Sequence, residues 1–390
     1  MIPLMKNTFI SELETKKELA SFIMSSSHLS MGEQCLLFEK EFSEFQGVKH
    51  AVLFNSGGSA NLAIIQTLKN LGQLKDGDKV AFSGLTWATN TMPIIQLGLV
   101  PVPIDCNSLT LNVMSNDLQH CLENDDIKVF FATNVLGFSG DLDNIKKVCK
   151  EKKIILLEDN CEALGTEINN IKTGTFGEMN SFSFFVAHHM STIEGGMVCT
   201  DSDEYAEMLR IVRANGWDRN LTSEQQSKWR KRYNIESEFY AKYTFYDLGY
   251  NFRPTEITGF LGRVQLKFLN ENIQKRAENY LKLEEAVIKN DDLITLDRGH
   301  LSLLSNFSFP VVCKNKAIRD FYFNRFVNAG VEIRPMIAGN IQDQPFYRKY
   351  VGKEYQLPGV TKLHENSFYC GNYPELTNTD LQVLSNCLSK

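Results

Sequence analysis

The stretch HAVLFNSGGSANLAIIQTLKNLG, His50 to Gly72, decides the fold class. Its first residues, HAVLF, are a short apolar run that predicts a buried strand. The residues SANLAIIQTLKNLG have the periodicity of a helix that stops at a glycine. Glycines and serines lie between the two patterns. The stretch therefore predicts one strand–turn–helix unit.

The same alternation continues beyond this unit. The predicted strands are KVAFS, VPVPID, KVFFATNV, IILLEDN, SFSFF and GMVCT, and the predicted helices are ATNTMPIIQLG, DLDNIKKVCKEK and SDEYAEMLRIVRANG. Strands separated by helices of this length predict βαβ units and a mostly parallel, buried sheet. Ligands of such sheets bind at the carboxyl ends of the strands. The candidate functional residues are therefore those that directly follow each predicted strand.

Three segments are expected along the chain. Residues 31–260 are expected to form a large α/β domain. Residues 261–390 are expected to form a linking helix and a smaller α+β domain, in which SNFSFPVVC and VEIRPM look like strands. Residues 1–30 are expected to pack on this small domain.

Composition predicts a soluble cytoplasmic protein. Hydrophobic residues make up 43% and charged residues 23% of the 390 residues, which is ordinary for a globular chain. The net charge of -6 gives no reason to expect binding to nucleic acid or to a membrane. The N-terminus lacks the apolar core of a signal peptide. The nine cysteines are scattered without a C-x-x-C pair, which predicts reduced thiols rather than a zinc or iron–sulfur site.

The residues that follow three of the predicted strands each have a functional and a structural interpretation. The Gly57–Gly58 pair suits phosphate binding at a helix N-terminus, but an ordinary capped turn explains it as well. Asp159 follows a strongly apolar strand, where it could pair with a cationic ring nitrogen or cap a helix. Trp87 could stack on a flat ligand, although a core position is favoured.

Two adjacent histidines, His188 and His189, follow the strand SFSFF. A general base, a metal site and two structural side chains are all possible interpretations, and the structural one is favoured from the residues alone. Neighbouring side chains in an extended segment point in opposite directions, so the pair is poorly placed to chelate one metal ion. At most one histidine is expected to face a given site.

Taken together and in order, the motifs resemble one family of enzymes. They are NSGGSANL, GLTWATN, VPVPIDCNSLTLNV, ATNVLGFSGDLDNI, LLEDNCEALG, GTFGEMNSFSFF, STIEGGMVCTDSDE, RANGWDRN and LGYNFRPTEITG, and they cover most of residues 30–260. This set is similar to the nucleotide-sugar aminotransferases and their dehydratase relatives, the DegT/DnrJ/StrS type of pyridoxal-phosphate enzyme. The resemblance implies the fold type I architecture, an α/β fold with a mostly parallel, mixed seven-stranded sheet flanked by helices and a smaller C-terminal domain.

The resemblance also implies residues that hold the cofactor, pyridoxal 5'-phosphate or its pyridoxamine form. Gly57, Gly58 and Ser183 would hold the cofactor phosphate. Asn251 would reach the phosphate from the second subunit of a homodimer.

Three further residues would contact the cofactor ring. Trp87 would stack on the ring, and Asp159 would pair with the ring nitrogen, which keeps the nitrogen protonated so that the ring acts as an electron sink. Glu162 would lie near the ring face or its hydroxyl, where the aminotransferases more often carry glutamine.

One position departs from the aminotransferase pattern. Those enzymes have a Schiff-base lysine six residues before the EGG glutamate, and here that position is His188. No lysine lies between Lys172 and Lys228, so a small slip in register cannot restore one. Histidine cannot form a stable imine, but it can act as a general base because its ordinary pKa is about 6.5.

A histidine at this position is similar to that of the sugar 3-dehydratases of the family. The chain looks closer to those that act on GDP-4-keto-6-deoxymannose, in the colitose pathway, than to the cluster-containing CDP-sugar enzymes. Cys313, Cys370 and Cys387 lack the close C-x-C pair of the cluster-containing enzymes. The stretches SHLSMGEQ, HHMSTIEGG, NGWDRN, GYNFRP and IRPMIAGN also look closer to the GDP-sugar enzymes.

The resemblance implies the following reaction. Glutamate supplies an amino group, His188 moves a proton, and a nucleotide-linked 4-keto-6-deoxyhexose loses its C3 hydroxyl. The products are a 3-deoxy-4-keto sugar, used for O-antigen lipopolysaccharide, and ammonia. Arg219, Arg253 and Arg334 would contact the substrate or glutamate.

Three alternatives stay open: an aminotransferase of the same family, a non-catalytic cofactor-binding homologue, and, least favoured, a zinc enzyme. No metal is expected.

Overall fold

The computed structural model describes all 390 residues. Strands and helices are numbered in chain order. The strands are β1 His50–Phe54, β2 Lys79–Ser83, β3 Val100–Ile104, β4 Ile127–Thr133, β5 Ile155–Asp159, β6 Glu167–Ile168, β7 Ile171–Lys172, β8 Met179–Ser183, β9 Gly196–Thr200, β10 Leu301–Leu303, β11 Ser308–Val312, β12 Ile333–Pro335 and β13 Ser367–Gly371.

The helices are α1 Glu12–Ser25, α2 Glu33–Gln46, α3 Gly57–Asn70, α4 Ala88–Gln96, α5 Ser115–Asn124, α6 Leu142–Lys152, α7 Asp203–Arg213, α8 Ser223–Arg232, α9 Glu238–Ala241, α10 Glu256–Leu266, α11 Leu269–Ile288, α12 Lys316–Asn328, α13 Pro345–Tyr350, α14 Pro358–Asn366 and α15 Asn378–Leu388. None of these helices combines the length and the hydropathy of a membrane-spanning segment.

The central sheet has seven strands in the order β1-β9-β8-β5-β4-β2-β3. Only β9 runs against the others, pairing antiparallel with β1 and with β8. The predicted mostly parallel, mixed seven-stranded sheet is therefore confirmed. The carboxyl ends of six strands meet at one edge of the sheet, together with the residues that lead into β9.

Both faces of the sheet are buried, as expected for a parallel sheet. Along β4, Val129 and Phe131 belong to one apolar cluster, whereas Phe130 and Ala132 belong to another. This alternation follows from the two-residue period of a strand. Helices α3 and α7 pack together against the first face. The second cluster continues into the C-terminal region and includes Phe309 of β11.

The C-terminal region is built on a second, antiparallel sheet. Its strands lie in the order β11-β13-β12, and α12 packs against both α14 and α15. The N-terminal residues contact two regions. Ile2 forms a parallel bridge with Val331 beside this sheet, whereas α1 packs on α10 through the stacked rings of Phe22 and Phe260.

Candidate active site

One cavity of about 410 Å³ lies at the edge where the parallel strands end. It is bounded by loops of the central sheet on one side and by the C-terminal region on the other. The cavity brings together most of the site residues predicted from sequence. These are Gly57, Gly58, Trp87, Asp159, Glu162, Ser183, His188 and Arg334.

The first wall of the cavity is the start of α3. Ser56 caps this helix, and its side chain accepts a hydrogen bond of 3.0 Å from the N–H of Ser59. A Cβ at Gly57 would lie 2.7 Å from the Cβ of Ser183 and 3.1 Å from the Sγ of Cys161. Glycine is therefore required for this close approach. The helix N-terminus and Ser183 line the same cavity, and a helix N-terminus favours an anion.

Asp159, the last residue of β5, is almost fully buried. Its Oδ2 accepts hydrogen bonds from the amides of Asn61, at 2.9 Å, and Asn90, at 2.8 Å. Its Oδ1 accepts a bond of 2.9 Å from the N–H of Cys161. No helix begins directly after β5, because the next element along the chain is β6. The helix-cap interpretation of Asp159 is therefore wrong. The three donors instead fix the position of this carboxyl group in the cavity wall.

Glu162 lies beside Asp159 in the same cavity. Its Oε2 accepts a hydrogen bond of 2.7 Å from the N–H of Leu136, which has a left-handed backbone with φ of 54°. Burial raises the pKa of Glu162 to about 8, and the charge of Asp159 adds to the increase. At neutral pH this carboxyl group therefore holds a proton and can donate a hydrogen bond.

Trp87 is 56% exposed and precedes α4 at the cavity. The core position favoured from the residues alone is therefore wrong. The indole lies at the open edge where β2 ends, and its face is available to a flat ligand.

His188 and His189 lie in a turn after β8 and not in an extended segment. The two side chains nevertheless have different surroundings. His188 lines the cavity, where its ring meets Phe185 and Phe307 edge-on at 5.9 and 5.3 Å between centroids. Its Nδ1 has no hydrogen-bond partner. Burial lowers the pKa of His188 to about 4, an effect that Asp159 opposes, so the imidazole is neutral at pH 7.

His189 is fully buried and structural. Its Nε2 is 3.0 Å from the carbonyl oxygen of Ser305. Burial lowers its pKa well below the ordinary histidine value. The interpretation in which both histidines bind one metal ion is not supported, because only His188 reaches the cavity.

The C-terminal region supplies the opposite wall, with Phe307, Arg334 and Tyr369. Arg334 donates through Nη2 to Glu332 at 2.5 Å, and Glu332 also accepts from the N–H of Leu4 at 3.0 Å. Sequence inspection missed Phe307 and Tyr369, because no motif marks them. It also missed Asn61 and Asn90, although both lie inside quoted motifs.

Three predicted residues do not line this cavity within one chain. Asn251 is exposed and bridges to Ala214. Arg219 is exposed, with its guanidinium carbon 5.3 Å from the centre of the Trp217 ring. Arg253 is half-buried in the loop before α10.

The sequence profile of the DegT/DnrJ/EryC1/StrS aminotransferase family matches residues 11–389. The chain belongs to this family. The family resemblance of the motifs is therefore confirmed, and the cavity occupies the sheet edge at which the DegT/DnrJ/EryC1/StrS motifs converge.

Several known proteins are similar to this chain over almost its whole length. The GDP-4-keto-6-deoxy-D-mannose 3-dehydratase of Yersinia pseudotuberculosis is 32% identical over 386 residues, which cover 96% of each chain. A crystal structure of a GDP-4-keto-6-deoxymannose 3-dehydratase, a histidine-to-asparagine variant with bound GDP-perosamine, has a TM-score of 0.91, 30% identity and full coverage of both chains. The same values hold for a structure of that dehydratase with a trapped PLP-glutamate geminal diamine.

Proposed function

We propose that this chain is a pyridoxal-phosphate-dependent sugar 3-dehydratase. Its substrate would be a nucleotide-linked 4-keto-6-deoxyhexose, GDP-4-keto-6-deoxymannose, and glutamate would supply the amino group. One observation carries the proposal: the cavity contains His188 and no lysine. A family aminotransferase needs a lysine there, both to anchor the cofactor and to release the aminated product.

The residues present fit the cofactor. The start of α3, with Gly57 and Gly58, and the Ser183 hydroxyl suit a phosphate group, and Trp87 offers a flat face. The carboxyl group of Asp159, positioned by the amides of Asn61 and Asn90, suits a protonated ring nitrogen. When bound, pyridoxal phosphate or pyridoxamine phosphate supplies an electron sink for breaking the C3–oxygen bond.

His188 would move the proton. Its imidazole is neutral at pH 7, so it can accept a proton and then pass it to the oxygen that leaves C3. The rings of Phe185 and Phe307 pack edge-on against the imidazole. A base of this kind contributes roughly 10²–10⁴-fold to a reaction rate.

Charged groups around the cavity suit the anionic reactants. Arg334 would bind the glutamate carboxylate or the substrate diphosphate, because a guanidinium fork matches either anion. Arg219 and Arg253 would contact substrate near the subunit boundary. Glu162, in its protonated form, would donate a hydrogen bond to the cofactor.

We further propose a homodimer in which Asn251 reaches the partner's cofactor phosphate. Large apolar and aromatic side chains that precede it along the chain are 57–77% exposed in the single chain. They are Phe239, Tyr240, Tyr243, Phe245 and Leu248. An exposed group of this kind is typical of a protein–protein interface.

The proposal places the protein in the cytoplasm, which agrees with the nine free cysteines. Its product would enter the synthesis of colitose for O-antigen lipopolysaccharide.

The test is product analysis. The purified chain is incubated with pyridoxal phosphate, L-glutamate and the 4-keto-6-deoxy sugars carrying GDP, CDP or dTDP. The expected result is a GDP-sugar that has lost its C3 oxygen, together with ammonia and 2-oxoglutarate. His188→Asn should lose this activity, whereas His120→Asn, at an 80% exposed site, should retain it. An aminated sugar would favour the aminotransferase, and cofactor binding without turnover would favour the non-catalytic homologue.

A further inference from the structure

We propose that Arg276, on α11, is a positioning residue for His188. It orients the histidine turn through hydrogen bonds to the backbone. This inference rests on the proposed function, in which His188 moves a proton. No sequence motif marks Arg276, which lies outside the cavity lining.

Arg276 is 97% buried, since only 3% of its surface is exposed, and no carboxylate contacts it directly. Its Nη1 donates to the carbonyl of Phe307 at 2.9 Å and to that of Asn372, and its Nη2 lies 3.5 Å from the carbonyl of His188. One guanidinium group therefore joins the backbone of His188 to that of Phe307, the ring that packs edge-on against the imidazole.

A second residue of α11 strengthens this contact. Asn272 lies one turn before Arg276, and its Oδ1 accepts from the Nε of Arg276 at 2.8 Å. The amide of Asn272 donates to the carbonyl of His189. Residues spaced by four lie on one face of a helix, so α11 holds two consecutive carbonyls of the histidine turn. A rigid helix therefore fixes the turn, which has no regular structure of its own.

The charge of Arg276 also acts on the imidazole. Burial lowers the pKa of Arg276 to about 10, so it stays charged at neutral pH. This positive charge lowers the pKa of His188, in the same direction as burial. The other titratable or charged side chains that share the cavity or flank the histidine turn are Asp159, Cys161, Glu162, Glu194, Arg334, Tyr369, His189, Tyr373 and Glu375. Of these, Asp159 raises the pKa of His188, so Arg276 opposes the buried carboxylate.

Two substitutions separate position from charge. Arg276→Lys keeps the charge but loses the planar fork, and Arg276→Gln loses both. The first readout is the histidine NMR titration of the protein without substrate, in which His188 is assigned among the seven histidines by comparison with His188→Asn. We expect Arg276→Gln to raise the pKa of His188 and Arg276→Lys to leave it nearly unchanged.

The second readout is turnover of the cofactor-loaded enzyme. Both variants should lose kcat by up to about 10²-fold, the loss typical of a misplacement near 1 Å, with little change in KM. The acidic limb of the pH profile should move to higher pH in Arg276→Gln only. Arg298→Lys, which alters a peripheral pair with Glu284, should change neither readout.

The two proposals fail in distinguishable ways. Wild-type chain without dehydratase activity would refute the proposed function, while the NMR titration would still report on Arg276. A lowered thermal stability with unchanged titration, kcat and pH profile would give Arg276 a purely structural role and overturn the inference. If Arg276→Gln does not fold, Arg276→Lys still decides the positioning part, because wild-type kcat in that variant would contradict it.

Discussion

Substituting Gly57 by alanine tests the proposed phosphate site, which is formed by the start of α3 and the Ser183 hydroxyl. Gly57 is the first residue of α3, and an added Cβ would lie 2.7 Å from the Cβ of Ser183 and 3.1 Å from the Sγ of Cys161. Ser183 is fixed in β8, between β5 and β9, so the start of α3 must move instead. Overpacking of this kind costs about 1–3 kcal/mol.

This cost should divide between folding and cofactor binding. The free protein can relieve the clash by displacing the start of α3, but binding requires that the helix amides and the Ser183 hydroxyl face the same phosphate. If the full cost appears in binding, the Kd for pyridoxal phosphate rises by roughly 5- to 150-fold, since 1.4 kcal/mol is a factor of ten. Any part of the overpacking cost that does not weaken cofactor binding should lower the free energy of unfolding of the free protein.

Two matched substitutions calibrate the effect. A Cβ at Gly58 would have one tight contact, 3.1 Å to the Cγ2 of Thr89, and its other neighbours lie at 3.8 and 3.9 Å, so Gly58→Ala should weaken binding less. Gly352 has no atom within 4 Å of an added Cβ, so Gly352→Ala should change nothing. The Kd is measured by titration of cofactor absorbance and the unfolding free energy by urea denaturation. If Gly57→Ala has the wild-type Kd for pyridoxal phosphate and the wild-type free energy of unfolding, the proposed phosphate site is refuted.

Three more substitutions probe the rest of the cavity. His188→Lys should gain the visible absorbance of a lysine-bound cofactor, and an unchanged spectrum would show that His188 is not the displaced lysine position. Asp159→Asn turns an acceptor into an amide facing the donors Asn61 and Asn90, so kcat should fall at least about tenfold, given 1.5–3 kcal/mol per charged hydrogen bond; wild-type kcat would contradict this role. Glu162 binds a proton in the folded state up to its pKa of about 8, so its stabilisation is lost as pH rises from about 4.5 through 8. Thermal unfolding should therefore show that Glu162→Gln gains stability over wild type as pH rises from 5 to 8.5, and a pH-independent difference would count against the shifted pKa.

The sheet and much of its functional edge could be predicted from sequence for a simple physical reason. Buried parallel strands are continuous apolar runs, and a polar residue directly after such a run lies at the ligand-binding edge. This pattern pointed to Asp159 and His188, and both line the cavity. The core position favoured for Trp87 was wrong, because an apolar side chain does not show whether other parts of the fold cover the carboxyl end of the strand that precedes it.

The contacts made across the fold could not be predicted in the same way. Phe307 and Tyr369 reach the cavity only because the C-terminal region packs against the sheet, and no local pattern encodes that distance. Arg276 looks like any charged residue of an amphipathic helix until its burial is known. The extended geometry assumed for His188 and His189 was also wrong, since the segment turns after β8.

The most direct test of the central claim is the fate of the amino group. If a histidine in place of the lysine makes this chain a dehydratase, the amino group does not remain on the sugar. The purified enzyme is therefore supplied with nitrogen-15 glutamate and GDP-4-keto-6-deoxymannose, and the label is followed by mass spectrometry. We predict that the label leaves as ammonia, in equal amount to 2-oxoglutarate, while the sugar loses its C3 oxygen. Label retained on a sugar that keeps its C3 hydroxyl would contradict the account.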